Sequence, residues 1–405
     1  MNSNVKLYLD RLVSEIKVLS DDLKEDSSFM KRINFYKKCM FVLGEVIPFI
    51  DGDNYGSGAF IDKQRELSVK ESNYRLFKKL SEFDGVNLLS LNGKDLDALI
   101  NFLNSYDLVL RDSIGVSADY TIGLELEFEF EFIKSFSYLK EFISTNFSNW
   151  EVKSDNSLRN GAEIISPVSS DTREFWENLK LICLKLDKYM NVGVKSGGHV
   201  HIGAHTLGDN IENWKKFLLL WKTYENIIYR FGYNEFLGPR PTVSQYAYPM
   251  ALEFDKVLDT NCDNLSDMIS LLNKEKYQGV NFMHVDLDNI SDKGYLNTIE
   301  FRCPNGALDA VILQNNVNLF IKMIEYAKSS EFNYEVVNRR FNINNLYNSY
   351  GNLDYYGLIN LEQALEFSDL IFSNMKDKLY FLKQYLKNMQ EVNKQSYVIG
   401  KKLTK

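Results

Sequence analysis

The segment TIGLELEFEFEF (121–132) constrains the fold more than any other part of the chain. Glutamate alternates with leucine or phenylalanine along it, and a period of two is the pattern of a β-strand with one buried face. The polar face carries Glu125, Glu127, Glu129 and Glu131. Carboxylates in a row repel one another unless water, a cation or a hydrogen-bond donor stabilises them. The pattern therefore indicates either the solvated face of an amphipathic strand or a site where Glu125 and Glu127 hold cations while the last two glutamates extend into solvent.

A second strand-like segment, KSGGHVHIGAH (195–205), carries three of the four histidines of the chain. His199 and His201 are two positions apart and share one strand face, beside glycines that let a backbone or a ligand approach closely. Contact with a metal or a phosphate and a hydrogen-bonded structural pair both explain this arrangement. His205 follows a further glycine and is interpreted as a surface residue.

A third strand, LNTIEFRCPNG (296–306), places Glu300 and Arg302 on one face, where they form either a cross-strand ion pair or part of a site. The turn-rich segment SDNSLRNGAEIISP (154–167) predicts a hairpin that carries Glu163. Each of these segments gains meaning only in combination with the other strands.

Together the strands supply four carboxylates, on Glu125, Glu127, Glu163 and Glu300, whose charge two divalent cations would neutralise. Carboxylates with an imidazole favour Mg²⁺ or Mn²⁺ over Zn²⁺. Two such ions and a free Arg302 are what phosphoryl transfer from a nucleotide requires. The sequence has no P-loop, no glycine-rich dinucleotide motif and no Cys-x-x-Cys of a zinc deaminase. A metal-dependent hydrolase and a non-catalytic protein that binds a nucleotide or a peptide remain alternatives.

The composition is that of an ordinary globular protein, with 45% hydrophobic and 25% charged residues in a chain of 405. A net charge of −8 argues against a dedicated nucleic-acid binder. The four cysteines lie far apart, which predicts reduced thiols and a cytoplasmic protein. The N-terminus reads as an amphipathic helix rather than a signal peptide, and no apolar run is long enough to span a membrane.

The order of patterns predicts an α+β protein in three regions. A helical region of unknown role (1–112) precedes a central region of strands and helices that carries the chemistry (113–330). A helical C-terminal region (331–405) follows, and its first part (332–360) reads as a tyrosine- and asparagine-rich connector. Individual helices are predicted at 93–112, 171–191, 211–231, 309–328 and 361–397.

The order of these motifs resembles the amidoligase family, within the glutamine synthetase and glutamate–cysteine ligase superfamily of carboxylate–amine ligases. The resemblance covers residues 118–328, about half of the chain, and includes the helix WKTYENIIYRFG (221–232) and Arg240. The motifs that carry it are GLELEFEF (123–130), DNSLRNGAEIISP (155–167), SGGHVHIG (196–203) and TIEFRCPNGALD (298–309).

The resemblance implies a curved antiparallel sheet whose concave face binds ATP and two Mg²⁺ or Mn²⁺ ions. By similarity, Glu125, His199 and Glu300 hold one ion, and Glu127 and Glu163 hold the other. The chain departs from the family at the second ion, where relatives supply two further carboxylates and only Glu163 is found here.

The resemblance also implies a reaction in which ATP phosphorylates a carboxylate and an amine then attacks the acyl phosphate to form an amide. Arg302 would contact the transferred phosphoryl group, and His201 would lie beside it. Arg240 would contact a phosphate or a carboxylate. The implied partners are small-molecule or peptide substrates, and self-association through the helical ends is a further interpretation.

Overall fold

The computed structural model of the chain divides into two compact units, Met1–Glu82 and Phe83–Lys405. The predicted helical region 1–112 lies mostly outside the described residues, as do Glu131 and Cys39. The structure describes residues 87–91, 95, 99, 100, 103, 108–130, 135–155, 158, 160–187, 190–193, 195–250, 262–272, 277–294, 297–346, 351 and 353–387.

The second unit combines helices with one antiparallel sheet, which confirms the predicted α+β class. The strands are β1 (Ile122–Phe130), β2 (Glu151–Asp155), β3 (Gly161–Ile165), β4 (Met190–Asn191), β5 (Gly198–Gly203), β6 (Val280–Asn281) and β7 (Thr298–Phe301). The helices are α1 (Ser135–Asn146), α2 (Arg173–Asp187), α3 (Ile211–Gly232), α4 (Val243–Tyr246), α5 (Leu265–Leu272), α6 (Ala310–Lys328), α7 (Tyr334–Leu346), α8 (Leu353–Tyr356), α9 (Leu361–Ile371) and α10 (Met375–Leu386). Short 3₁₀ turns lie at Leu88–Ser90 and Ala204–Thr206.

The sheet has the strand order β2-β3-β1-β5-β7-β6, with β4 paired to the end of β1. Alternation along the strands gives it an apolar face, which α3 and α6 cover. The ring of Phe301 on β7 stacks on that of Phe320 on α6 at a centroid distance of 4.0 Å. The centroid of the Trp221 ring on α3 lies 5.7 Å from that of Phe301. Because this face is buried, a slip of one residue in any strand would expose it, so the register is fixed.

The fixed register assembles the polar residues on the opposite face. The residues directly opposite one another are Glu127 and Glu163, Glu125 and His199, and His201 and Glu300. Side chains opposite one another on neighbouring antiparallel strands have Cβ atoms about 5 Å apart. Four strands that are distant in the sequence therefore bring their ionisable groups together at one place.

Two of the predictions for the C-terminal region were wrong. The predicted connector 332–360 contains α7 and α8, and the described part of the predicted helix 361–397, residues 361–387, holds two helices, α9 and α10. Tertiary contacts explain α7, because its Arg340 is buried and donates to Glu366 of α9. A cap explains the break after α9, because the side chain of Asn374 accepts a hydrogen bond from the Asp377 amide, 2.9 Å away, and starts α10.

The helix predicted at 93–112 does not reach its expected end, because residues 108–112 are irregular. There the Arg111 amide donates to Gln314 Oε1 at 2.9 Å, and Gln314 Nε2 donates to the Arg111 carbonyl at 2.8 Å. These hydrogen bonds to α6 take the place of those that the Arg111 main chain would make within a helix. The helices predicted at 211–231 and 309–328 are confirmed to within one residue at each end.

The described cysteines, Cys183, Cys262 and Cys303, are all buried and unpaired. In the part of the chain that the structure describes, no helix has both the length and the apolar character to cross a membrane.

Candidate functional site

A cavity of about 360 Å³ opens on the polar face of the sheet. The residues that the sequence predicts for the site all line it: Glu125, Glu127, Glu163, His199, His201, Arg240, Glu300 and Arg302. The strands β1, β3, β5 and β7 supply all of them except the two arginines, which follow β7 and α3. The period-two pattern of the sequence therefore indicated which side chains of each strand lie on the polar face of the sheet.

Among the described residues, Glu125, His201 and Glu300 form a group that could hold a metal ion, since one ligand atom from each lies within 4.8 Å of the others. His201 Nε2 is buried and lies 3.3 Å from Glu125 Oε1, within ion-pair distance, and it makes no well-aligned hydrogen bond to any described residue. Its other ring nitrogen, Nδ1, lies 3.2 Å from the Thr298 hydroxyl. An imidazole that is held at one ring nitrogen and directs the other toward carboxylates is a common metal ligand. These residues therefore fit a divalent cation.

His199 lies between three carboxylates rather than in this group. Its Nδ1 is 2.8 Å from Glu125 Oε2 and 3.5 Å from Glu300 Oε1, and its Nε2 is 3.4 Å from Glu127 Oε1. Its side chain is only 5% exposed. The histidine grouped with Glu125 and Glu300 is thus His201, whereas the resemblance implies His199. His199 instead bridges the carboxylates of β1 and β7.

The electrostatics keep Glu125 and Glu300 ionised. Burial alone would raise the pKa of Glu125, but its contacts with His199 and His201 hold that pKa well below the usual range. Burial likewise opposes ionisation of Glu300, whose pKa is nevertheless lowered by His199 and then by Arg302. The pKa of His201 is lowered by burial but raised overall by Glu125 and Glu300. Glu125 and Glu300 thus favour a proton on His201, and a cation bound by the three residues would compete with that proton.

Glu127 and Glu163 lie opposite each other at the β1–β3 side of the cavity. Glu127 Oε2 accepts a 2.6 Å hydrogen bond from the Gly197 amide. Burial and the charges of Glu125, Asp155 and Glu127 raise the pKa of Glu163 to about 7. Asp155, which lines the same cavity, is a carboxylate that the sequence interpretation missed. A cation bound here would relieve the repulsion that raises this pKa.

We expect Glu163→Gln to stabilise the metal-free protein at about pH 8.5 but not near pH 4.5. Because the pKa of Glu163 is raised from 4.5 to about 7, the folded protein binds an extra proton between these values, and its stability falls as pH rises through them. Urea unfolding with a chelator at both pH values measures the difference. Glu151→Gln, on the exposed side of β2, controls for the lost charge. Equal effects of Glu163→Gln at both pH values would contradict the expected pKa.

The two arginines lie in different environments. Arg302 pairs with Glu300 Oε1 through Nη1 and donates from Nε to the Tyr246 carbonyl at 3.1 Å. Arg240 is 2% exposed, and its guanidinium donates to the carbonyls of Pro304 and Arg302. Burial lowers the pKa of Arg240. Arg240 therefore holds the main chain that carries Arg302, although the resemblance implies a ligand contact.

We expect Arg240→Met to destabilise the fold by about 2–4 kcal/mol, because it removes two charged hydrogen bonds to buried carbonyls. The expected loss is visible in urea unfolding without any ligand. Arg173→Met, at an exposed arginine of α2, is the control. Normal stability in Arg240→Met, combined with weaker anion binding, would instead support the ligand contact.

Several lining residues carried no signal in the sequence. Lys195, Tyr246, Tyr277 and His284 all face the cavity, and the His284 ring centroid is 6.4 Å from that of His201. They lie in loops or at the ends of short elements, where no period reveals a shared face. Their place follows only from the three-dimensional structure.

Glu129 is half-buried rather than extended into solvent, and its carboxylate lies against Gly193, where an added Cβ would come within 2.3 Å of it. It is not among the residues that line the cavity.

Comparison with known proteins adds no assignment, since no protein-family profile and no curated protein matches the chain.

Proposed function

We propose that the chain is an ATP-dependent carboxylate–amine ligase that forms an amide bond through an acyl phosphate. The observation that carries this proposal is the group formed by Glu125, His201 and Glu300 beside Arg302, in one cavity on the sheet. A carboxylate-rich cation site next to an arginine suits the binding of a nucleoside triphosphate. We further propose that the sheet is a catalytic core of the glutamine synthetase type and that the enzyme is cytoplasmic.

Mg²⁺ or Mn²⁺ would be held by Glu125, His201 and Glu300, with Glu127 and Glu163 available to a second ion. When bound, such ions neutralise phosphate charge and help to align the transferred phosphoryl group. His199, wedged between the carboxylates, keeps them at a fixed spacing. The cluster is thereby organised before a ligand arrives, which lowers the cost of binding.

Arg302 would stabilise the charge on the phosphoryl group as it moves to the substrate carboxylate. The γ-phosphoryl bond to ADP breaks as a bond to the carboxylate oxygen forms, which gives an acyl phosphate. An amine then attacks the acyl carbon and phosphate leaves, with loss of one amine proton. The cavity walls would hold the two substrates close together, which makes the second step effectively intramolecular.

A non-catalytic relative that binds a nucleotide is the second candidate. It is favoured by the position of Glu127, whose carboxylate is already engaged by the Gly197 amide and lies near His199. If Glu127 cannot leave these contacts, only the first ion would bind, and the charge on the substrate carboxylate would remain unscreened.

Phosphate release from ATP in pooled carboxylic acids and amines tests the proposal. A ligase releases phosphate only when both an acid and an amine are present, and oxygen-18 in the carboxylate is then transferred to the phosphate. Transfer of oxygen-18 from water would instead indicate a hydrolase. ATP binding without release in any pool would favour the non-catalytic candidate. Glu125→Gln is the matched inactive variant.

A further inference from the structure

Two tyrosines line the cavity beside β6, the edge strand of the sheet. Tyr246 and Tyr277 pack edge to face, with ring centroids 5.2 Å apart and planes at 78°. Both residues line the cavity, and Tyr277 is 40% exposed. Aromatic residues at the wall of a largely polar cavity are suited to a flat apolar ligand group.

The main chain ties this pair to Arg302. The carbonyl of Tyr246 accepts the 3.1 Å hydrogen bond from Arg302 Nε, and the carbonyl of Gly279, two residues after Tyr277, accepts from the Arg302 amide at 2.8 Å. Tyr248 also forms a parallel β-bridge with Gln278, which joins the segment that carries Tyr246 to the one that carries Tyr277. The aromatic pair is therefore held in a fixed position relative to the arginine.

The cavity has opposite characters at its two ends. Glu163 and Asp155 lie on β3 and β2, whereas the tyrosines lie beside β6, at the other edge of the strand order. The metal group is centred near β5, two strand spacings or about 10 Å from β6. An anionic chain bound at the metal group and Arg302 could thus extend to the tyrosines and away from the carboxylates.

We propose that Tyr246 and Tyr277 bind the base of a nucleoside triphosphate whose phosphates lie at Arg302 and the metal group. This inference rests on the proposed function, because it takes the cavity to be a nucleotide site. Bases stack on tyrosine rings with little preference for sequence, since every base has a π-face. A neutral base also suits the tyrosine end better than the acidic end, which is left for the substrates of the ligase.

Calorimetric binding of ATP and of tripolyphosphate, each with Mn²⁺, tests this assignment on the full chain. Tripolyphosphate carries the phosphates without the base. We expect Tyr277→Leu to weaken ATP binding by about 5- to 150-fold, the range of one base–aromatic stack, and to leave tripolyphosphate binding within about twofold. Tyr277→Phe keeps the ring and should restore ATP binding. Tyr246→Leu, which retains its carbonyl, should show the same selective loss as Tyr277→Leu.

Tyr334→Leu is the control, because Tyr334 is 43% exposed and lies on α7, away from the cavity lining. Equal loss of both ligands in Tyr277→Leu, or loss of neither, would overturn the base-binding role while leaving the nucleotide site intact. If the wild type binds neither ATP nor tripolyphosphate, the proposed function itself fails and the base-binding role fails with it.

Discussion

Replacing Glu125 by glutamine is expected to abolish the stabilisation of the protein by Mn²⁺. Glu125 contacts both histidines and belongs to the group of three possible ligands. An amide of the same shape keeps the packing but removes the charge that a hard cation requires. In the wild type, Mn²⁺ at a hundredfold over its dissociation constant should add about 2.7 kcal/mol to the free energy of unfolding. Urea unfolding with and without Mn²⁺ measures this difference in each variant.

The matched control is Glu129→Gln, on the same strand and the same face but outside the cavity lining. It removes the same charge and should keep the full Mn²⁺ effect. The comparison uses the difference between metal-loaded and metal-free protein, because Glu125→Gln also lowers the basal stability by leaving His199 and His201 without their charged partner. A Mn²⁺ effect of wild-type size in Glu125→Gln would contradict the assigned site.

Replacing Arg302 by methionine should destabilise the metal-free protein by about 3–5 kcal/mol, because it leaves Glu300 buried without its paired charge. Glu300 and Arg302 have side chains only 3% and 10% exposed, so solvent cannot compensate. Mn²⁺ should recover much of this loss, since a cation at Glu300 replaces the missing positive charge. The affinity for ATP should nevertheless fall, because the phosphate contact proposed for Arg302 is removed. Unfolding and ATP titrations, both with and without Mn²⁺, separate these effects.

Arg339→Met is the control for this second variant. Arg339 is 57% exposed and contacts Glu366, which keeps its buried partner Arg340 when Arg339 is removed. Its loss should cost less than about 1 kcal/mol. A similarly small cost in Arg302→Met, or a cost that Mn²⁺ does not reduce, would show that Glu300 is not held between an arginine and a cation site.

The sequence predicted the polar face of the sheet because alternation is a local property. Glu125 and Glu127 on β1, His199 and His201 on β5, and Glu300 on β7 each followed from a period of two. What the pattern could not supply was the register between strands, which depends on how the apolar face packs against α3 and α6. For that reason the sequence could not indicate which histidine would join Glu125 and Glu300.

The parts that the sequence missed depend on contacts between distant segments. Nothing local in the sequence indicates that Arg240 donates to the carbonyls of Pro304 and Arg302. The same reason explains α7, whose buried Arg340 is paired with a glutamate of α9. Tyr246, at the end of α4, and Tyr277, just before β6, are brought together by tertiary structure, with ring centroids 5.2 Å apart. Periodicity carries no information about any of these positions.

The thermal midpoint of the wild-type protein with ATP alone, Mn²⁺ alone and both together tests the central claim most directly. Ligands that bind the native state raise its stability by mass action, and the measurement needs no knowledge of the acid or the amine. We expect ATP to raise the midpoint only when Mg²⁺ or Mn²⁺ is present, and this shift to disappear in Glu125→Gln. No shift with any combination of nucleotide and metal would contradict a metal-dependent nucleotide site on this sheet.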